Sequence, residues 1–276
     1  MYIQYTAVGR ASPCTQVQLN VGLAVAAVKP VQTSPSRVLL QPAYLLHQRP
    51  YRDSGRILEL FSRDHGRVTA FARGVRRAGS PFLPVLQPFN RLLASWTGRG
   101  DAGTFMHAEF DGAVQALPPA RLMSGFYLNE LVLRLLVRHD VNAQIFEEYE
   151  QALVELKSAA DEGRTLRLFE KRLLDALGYG LSLDREAVSG RAIDPECAYR
   201  YARAQGLVRV DGVAEGSLIF SGSSLLSLAN EELHDPASRV DARRLLRAAL
   251  DECLEGRALG SREVATAFRK LRSPQP

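Results

Sequence analysis

Hydrophobic and polar positions alternate in short runs between residues 37 and 110, where β-branched and aromatic residues are separated by turn-forming sequences. A period of two residues is the pattern of half-buried β-strands. The sequences "SRDHGR" and "GRGDAG" place Asp and Gly where tight turns favour them. The pattern predicts five strands, at residues 37–47, 55–62, 67–74, 89–96 and 103–110.

Five short strands in about eighty residues, with a longer connection around "RRAGSPFLP", are typical of a small closed β-barrel. We predict that residues 36–115 form an OB-fold barrel, the five-stranded architecture that often binds oligonucleotides. An SH3-like barrel is the alternative that periodicity alone leaves open.

Beyond the pair Pro118-Pro119 the apolar positions repeat about every 3.6 residues, as they do in amphipathic α-helices. One helix is predicted directly after this pair, because proline favours the first turn of a helix. Five more helices are predicted, at residues 142–160, 164–177, 223–231, 238–255 and 261–270.

Residues 181–220 interrupt the helical pattern and are predicted to be an irregular insertion, with two short strands near 198–203 and 218–220. The preceding "LGYG" (177–180) is interpreted as a helix cap and turn, because the carbonyl oxygens at a helix C-terminus repel anions. The predicted fold class is α+β, with an N-terminal five-stranded OB-fold barrel followed by a mainly helical domain at 116–276.

The first 35 residues carry only two charges and end in a Thr-Ser-Pro linker. Their apolar patch, Val21 to Val28, is too short to span a membrane and follows no basic segment, so a signal peptide is not expected. We interpret residues 1–35 as a poorly ordered extension, or as the product of a start codon placed upstream of the true one.

The composition is that of a globular protein, with 46% hydrophobic and 24% charged residues. No run of about eighteen apolar residues occurs, so no membrane association is expected. The three cysteines, Cys14, Cys197 and Cys253, lie far apart, which argues against a disulfide framework and fits a reducing cytoplasm.

Positive charge is concentrated in the predicted barrel. The chain has a net charge of +5; residues 36–115 alone carry +5, whereas residues 116–276 carry −2. A basic domain joined to a slightly acidic one indicates a module that binds a polyanion and a separate domain that assists it.

Residues 66–100 contain six arginines and no carboxylate. A face that serves only solubility usually mixes both signs of charge, so we predict that these arginines bind DNA phosphates. The predicted DNA-binding residues are Arg67, Arg73, Arg76, Arg77, Arg91 and Arg99. The interleaved Phe71 and Phe89 are expected inside the barrel, because a small barrel needs its aromatic residues for the core.

Signals of catalysis are weak, and neither an enzyme nor a cofactor is predicted. The chain has no Walker lysine motif, no G-x-S-x-G and no H-E-x-x-H. The carboxylates of "FEEYE", Glu147, Glu148 and Glu150, would suit a metal-dependent nuclease, but on a helix they are interpreted as its solvent face. The other alternative is an OB-fold RNA-binding adaptor.

Several motifs in order along the chain resemble a known family. They are "RPYRDSGRILELFSRDHGRVTAFARGVRR", "LQPF", "FYLNELVLRLL", "LRLFEKRLLDALGYGLSL" and "YRYARAQGL". From about Arg37 to Leu271 the sequence resembles the bacterial RecO family of recombination mediators, whose pattern begins only near Ser36.

The resemblance implies an N-terminal OB-fold, a helical domain and binding of single- and double-stranded DNA. It also implies annealing of complementary strands and, with the partner RecR, loading of the RecA recombinase onto DNA coated by single-strand-binding protein (SSB). RecF is a further candidate partner, and the implied location is the cytoplasm, at the nucleoid during repair.

Many members of the family hold zinc with four cysteines after "LGYG". Here that region has only Cys197, and Glu186 stands where a ligand is expected. One thiolate cannot build a structural zinc site, so we predict no metal in this degenerate zinc-finger region. Packing through Tyr199 and Tyr201 is expected to hold the insertion instead.

The acidic C-terminal tail of SSB ends in phenylalanine, and the resemblance puts its docking site in the helical domain. Arg167 matches a carboxylate-binding position, and Lys171 follows one helical turn later beside the stripe of Leu166 and Phe169. A cationic fork beside an apolar pocket would suit such a tail. The other interpretation is that Arg167 pairs with an acidic neighbour such as Asp161.

Overall fold

The computed structural model describes residues 37–98, 102–158, 160–203, 205–210 and 218–272. The barrel and the helices belong to one compact unit, Pro35–Pro276. None of the described helices combines the length and apolar content that a membrane crossing requires.

Five strands close a barrel near the N-terminal end of the described chain. They are β1 (Arg37–Tyr51), β2 (Gly55–Ser62), β3 (Gly66–Ala72), β4 (Arg91–Thr97) and β5 (Gly103–Phe110). Their order around the barrel is β1-β2-β3-β5-β4, with β1 pairing back onto β4 and a parallel pair only between β3 and β5. The five predicted strands are therefore present, and the predicted OB-fold is confirmed.

Strand β1 is long enough to belong to two sides of the barrel. Its register shifts between Val38 and Gln41 and again between Leu45 and His47. Such β-bulges bend a strand, so the first half of β1 pairs with β4 and the second half with β2. The barrel core consists mainly of small and aliphatic side chains that alternate inward along each strand.

Six α-helices make up most of the remaining chain. They are α1 (Leu122–Leu135), α2 (Ala143–Lys157), α3 (Glu162–Ala176), α4 (Gly222–Ala229), α5 (Pro236–Cys253) and α6 (Gly260–Arg272). Side chains of Asn142, Asp161, Ser221 and Asp235 accept hydrogen bonds at the N-termini of α2 to α5. All six predicted helices are confirmed.

The end of α3 shows why "LGYG" is structural. The backbone N–H of Gly178 donates to the carbonyl oxygen of Asp175, and that of Tyr179 donates to Leu174 at 2.9 Å. These two bonds form a Schellman motif, which satisfies the last carbonyl groups of the helix. The interpretation of this sequence as a cap is confirmed.

The insertion contains a three-stranded sheet in the order β7-β6-β8. Strands β6 (Ala198–Ala202) and β8 (Ile219–Ser221) confirm the two predicted strands, whereas β7 (Gly206–Val210) was not predicted. Tyr199 is fully buried and its hydroxyl accepts a hydrogen bond from the N–H of Asp194 at 2.8 Å. Tyr201 is buried as well, so aromatic packing does hold the insertion.

The barrel and the helical region share an apolar core. Tyr44 and Phe61 project from the outside of the barrel and contact the ring of Phe146 at centroid distances of 5.5 and 5.3 Å. Phe89 is buried in this shared core and not inside the barrel, which corrects the expected location. Gly125 lets α1 approach, because a Cβ there would lie 2.8 Å from the Phe89 ring.

Candidate nucleic-acid interface

The six arginines between residues 66 and 100 do not form one surface. Arg67 and Arg91 turn toward the helical region, where each is bound by protein groups. Arg73, Arg76 and Arg77 are exposed to solvent. Arg99 lies outside the described residues.

Arg67 lies on β3 and reaches the C-terminal end of α1. Its Nη1 atom donates hydrogen bonds to the carbonyl oxygens of Leu133 and Leu136, the latter at 2.6 Å, and its Nη2 lies 3.6 Å from the carboxylate of Glu59. Burial lowers the pKa of Arg67 below its usual value, and Glu59 opposes this effect. The predicted phosphate contact is corrected here to a structural role, because the guanidinium has almost no exposed surface.

Arg91 joins the barrel to α2. It lies 2.7 Å from the carboxylate of Asp111 and 2.7 Å from that of Glu150, and Glu150 also accepts a hydrogen bond from the Tyr44 hydroxyl. Burial alone would lower the pKa of Arg91, but the two carboxylates raise it above the usual value. Arg91 is thus already paired with two protein carboxylates, which favours a structural role over the predicted DNA contact.

The carboxylates considered for a nuclease face three different arginines. Glu147 pairs with Arg63 at 3.4 Å and is exposed, as predicted. Glu148, which pairs with Arg172 at 2.6 Å, is half-buried. Glu150 is half-buried as well, so the solvent-face interpretation is wrong for both. In the described part of the chain, no three His, Cys, Asp or Glu side chains lie close enough together to hold a metal ion.

The expected fork for an SSB tail is already occupied by protein carboxylates. Arg167 is buried and lies 2.5 Å from Glu170, and Lys171 lies 3.0 Å from Glu231. The pairing interpretation of Arg167 therefore describes the structure, with Glu170 in place of Asp161. Asp161 instead caps α3 and forms an ion pair with Arg239.

The loop after β3 presents three arginines on a well-anchored backbone. Val75 and Leu86 at either end of this loop are buried and belong to the barrel core. The N–H of Arg76 donates to the carbonyl oxygen of Ser54 at 2.9 Å, which ties the loop to the β1–β2 turn. Within the described residues, the side chains of Arg73, Arg76 and Arg77 form no ion pair or hydrogen bond. We call these three the loop arginines.

A groove of about 460 Å³ opens between the β1–β2 turn and the end of β3. Two of the loop arginines, Arg73 and Arg77, form one side of it, and Arg52 and Tyr51 form another. The rings of Tyr51 and Phe71 lie 5.1 Å apart at an interplanar angle of 44°. We call this site the aromatic groove.

Phe71 reaches the groove because it points away from the barrel interior. Its neighbours Ala70 and Ala72 are buried in the barrel core, and Phe71 itself is only half-buried. Strand pairing aligns Phe71 with Ile57 on β2 and with Thr104 on β5, which places the three on one outer face. The expectation that Phe71 belongs to the core is therefore wrong.

The groove is cationic. Arg52, Arg73 and Arg77 are all exposed, and Asp53 is the one carboxylate among its lining residues. The guanidinium of Arg52 lies 5.2 Å from the centre of the Tyr51 ring, which is within the range of a cation–π contact. Planar rings beside unpaired arginines can hold bases and phosphates together.

Sequence reasoning missed Tyr51 and Arg52, together with the exposed Arg49 two residues before Tyr51. All three lie in "RPYRDSGR", where arginines flank an aromatic residue next to the turn that joins β1 and β2. Alternation places Arg49 and Tyr51 on the same face of β1. That face could have been recognised from the sequence, because it continues the outer face of β2 and β3.

Two protein-family models match this chain. The model described as "Recombination protein O N terminal" matches residues 37–111, and "Recombination protein O C terminal" matches residues 118–263. The DNA repair protein RecO of Methylococcus capsulatus is 44% identical over 235 residues, which cover 85% of this chain and 96% of that protein. The DNA repair protein RecO of Alkalilimnicola ehrlichii is 46% identical over 245 residues, which cover 88% of this chain and 96% of that protein.

Proposed function

The chain belongs to the RecO family of DNA repair proteins, and on this premise we propose that it is a recombination mediator that binds DNA and catalyses no reaction. It binds single- and double-stranded DNA and anneals complementary strands. With RecR it helps to load RecA onto DNA coated by SSB. RecF is a further proposed partner.

The loop arginines are the observation that carries this proposal. They are exposed, they have no carboxylate partner among the described residues, and their backbone is fixed by buried neighbours. Guanidinium groups bind phosphate oxygens through paired N–H donors, and this contact is independent of base sequence. Two strands whose phosphates are neutralised in this way repel each other less, which favours annealing.

The test is binding of a fluorescent single-stranded oligonucleotide over a salt series, with the variant Arg73→Ala/Arg76→Ala/Arg77→Ala. Each lost phosphate contact should flatten the slope of log K against log salt by about 0.7, so three should flatten it by about 2. The matched control removes three exposed arginines of the helical region, Arg203, Arg247 and Arg257. Equal slopes for the wild type and the loop variant would refute the proposal.

Two alternatives are separated by further arms of the same experiment. Competition with single-stranded RNA of equal length tests the RNA-binding adaptor, and DNA should compete at least as well as RNA. Incubation of labelled DNA with Mg²⁺ tests the nuclease, and the protein should leave the DNA intact. The ion pairs of Glu147 and Glu148 with Arg63 and Arg172 argue against a metal site there.

The SSB tail is proposed to dock on the helical region, although its carboxylate would have to displace a protein carboxylate from Arg167 or Lys171. Glu231 is the more exposed of the two competitors, with 27% of its side-chain surface exposed against 2% for Glu170. Lys171 is therefore the more accessible position. Binding of a labelled acidic peptide ending in Phe should weaken in Lys171→Ala, and an unchanged affinity would move the docking site elsewhere.

A further inference from the structure

Tyr51 and Phe71 form an aromatic ledge that the barrel does not need for its core. Neither ring belongs to the buried cluster inside the barrel or to the core shared with the helices. Both are half-buried at the mouth of the groove and contact each other at 5.1 Å. Large aromatic side chains left in contact with solvent beside a groove are available to bind a ligand.

Several of the residues that line the groove beside the rings are small, among them Gly55, Ala72 and Gly74. Gly55 pairs with Tyr51 at the end of the β1–β2 hairpin, and a Cβ on Gly55 would lie 2.8 Å from the Tyr51 carbonyl oxygen and 3.2 Å from that of Ala72. No side chain can therefore rise from Gly55 to fill the space beside the rings. The volume of about 460 Å³ falls within the range of about 300–1,000 Å³ that is usual for small-molecule sites.

The rings also lie next to unpaired cations. Arg73 and Arg77 line the groove without an ion pair among the described residues, and Arg52 places its planar guanidinium over the Tyr51 ring at 5.2 Å. That contact shows that the face of Tyr51 can hold a flat group, and a base stacked there would take the place of the Arg52 guanidinium. A ligand with a planar ring next to a negative charge would match both halves of the site.

We propose that the aromatic groove stacks an unpaired nucleobase of a DNA strand whose phosphates are held by the neighbouring loop arginines. This inference rests on the proposed function and adds selectivity to it. In a duplex the base faces are covered by their stacked neighbours, so a duplex reaches the arginines only. The ledge therefore makes this site prefer single strands, whereas the arginines serve both forms of DNA.

The test compares three oligonucleotides of equal length by fluorescence anisotropy: a normal single strand, a single strand with abasic sites, and a duplex. The abasic strand keeps its phosphates and loses its bases. Loss of stacking on one base should weaken its binding to the wild-type protein about five- to 150-fold. The variant Tyr51→Ala/Phe71→Ala should bind the normal strand no better than the abasic strand, with an unchanged salt slope and unchanged duplex affinity.

A second variant, Tyr51→Leu/Phe71→Leu, retains apolar bulk at the hairpin and removes the aromatic faces. It should show the same loss for the normal strand while its thermal midpoint stays near that of the wild type. Equal affinity of the wild type for normal and abasic strands would overturn the stacking site and leave the arginine surface intact. The proposed function would instead be refuted if the loop-arginine variant bound each of the three oligonucleotides as tightly as the wild type does.

Discussion

Arg91 of the barrel and Glu150 of α2 form an ion pair at 2.7 Å across the junction between the barrel and the helices. About a third of the Arg91 side chain is exposed, and Glu150 is more buried. The pair is neither a surface salt bridge nor a fully buried one. Its contribution to stability lies between those limits.

Replacing the anionic partner should destabilise the junction. We expect Glu150→Gln to lower the free energy of unfolding by about 1.5–3 kcal/mol, because hydrogen bonds to charged groups contribute about that much. Glu147→Gln, which alters an exposed pair on the same helix, should stay within about 0.5 kcal/mol of the wild type. Urea denaturation measures both, and equal effects of the two substitutions would contradict the assigned role of Glu150.

Arg67 should affect stability and leave phosphate binding unchanged. Arg67→Ala removes the donors to the Leu133 and Leu136 carbonyl groups and leaves Glu59 with less positive charge nearby. We expect a loss of about 2–4 kcal/mol in the free energy of unfolding. The slope of the DNA-binding salt series should equal that of the wild type, and a flatter slope in a fully folded variant would restore Arg67 as a DNA contact.

Annealing should depend on the loop arginines more than on the net charge of the protein. The Arg73/Arg76/Arg77 triple variant should anneal complementary oligonucleotides more slowly than the wild type at moderate salt, because it neutralises fewer phosphates. The Arg203/Arg247/Arg257 variant carries the same net charge and should anneal at the wild-type rate. Fluorescence energy transfer between labelled strands measures both rates, and identical rates for the two variants would show a charge effect only.

Glu231 should make a pH-dependent contribution to stability. Its hydrogen bond with Arg172, aided by Lys171 and opposed by burial, lowers the pKa of Glu231 from 4.5 to about 2. A folded pKa below the unfolded value stabilises the protein above about pH 4.5, and this contribution disappears as the pH falls toward 2. The difference in unfolding free energy between the wild type and Glu231→Gln should therefore shrink over that interval in acid titrations of urea unfolding.

At neutral pH the same difference should be on the order of 3 kcal/mol. Glu255→Gln is a suitable control, because Glu255 is an exposed residue that pairs at 3.3 Å with Arg257, which is exposed as well. A difference between wild type and Glu231→Gln that stayed constant from pH 6 to pH 3 would rule out the lowered pKa.

Periodicity predicted the strands and helices well, because an element that buries one face has apolar residues at regular intervals along the sequence. It missed β7, because this strand has only five residues and is recognised by its pairing with β6. Strand alternation also predicts the shared face of Arg67, Thr69 and Phe71 on β3. The sequence does not show which part of that face the helices cover. Coverage by the helices decides whether a residue on the face is buried or accessible to a ligand.

Coverage by the helices divides the outer face of β3 into two environments. Arg67 and Thr69 are buried, and Arg67 contacts the end of α1, whereas Phe71 is only half-buried and lines the groove. The anionic partner of Arg91, Glu150, is 59 residues away in sequence, so a local charge count could not find it. The alanines on either side of Phe71 were the available local signal, because small residues on the inner face leave the bulky one outside.

The contacts of Arg67 and Arg91 with the helical region have a mechanical consequence. They join the barrel to the helices at two points besides the connecting chain, and two such contacts oppose a change in separation or angle between them. A protein docked on the helices would then meet a strand held by the barrel at a set position. The local concentration of one ligand near the other would be set by the geometry of this junction and not by the length of a linker.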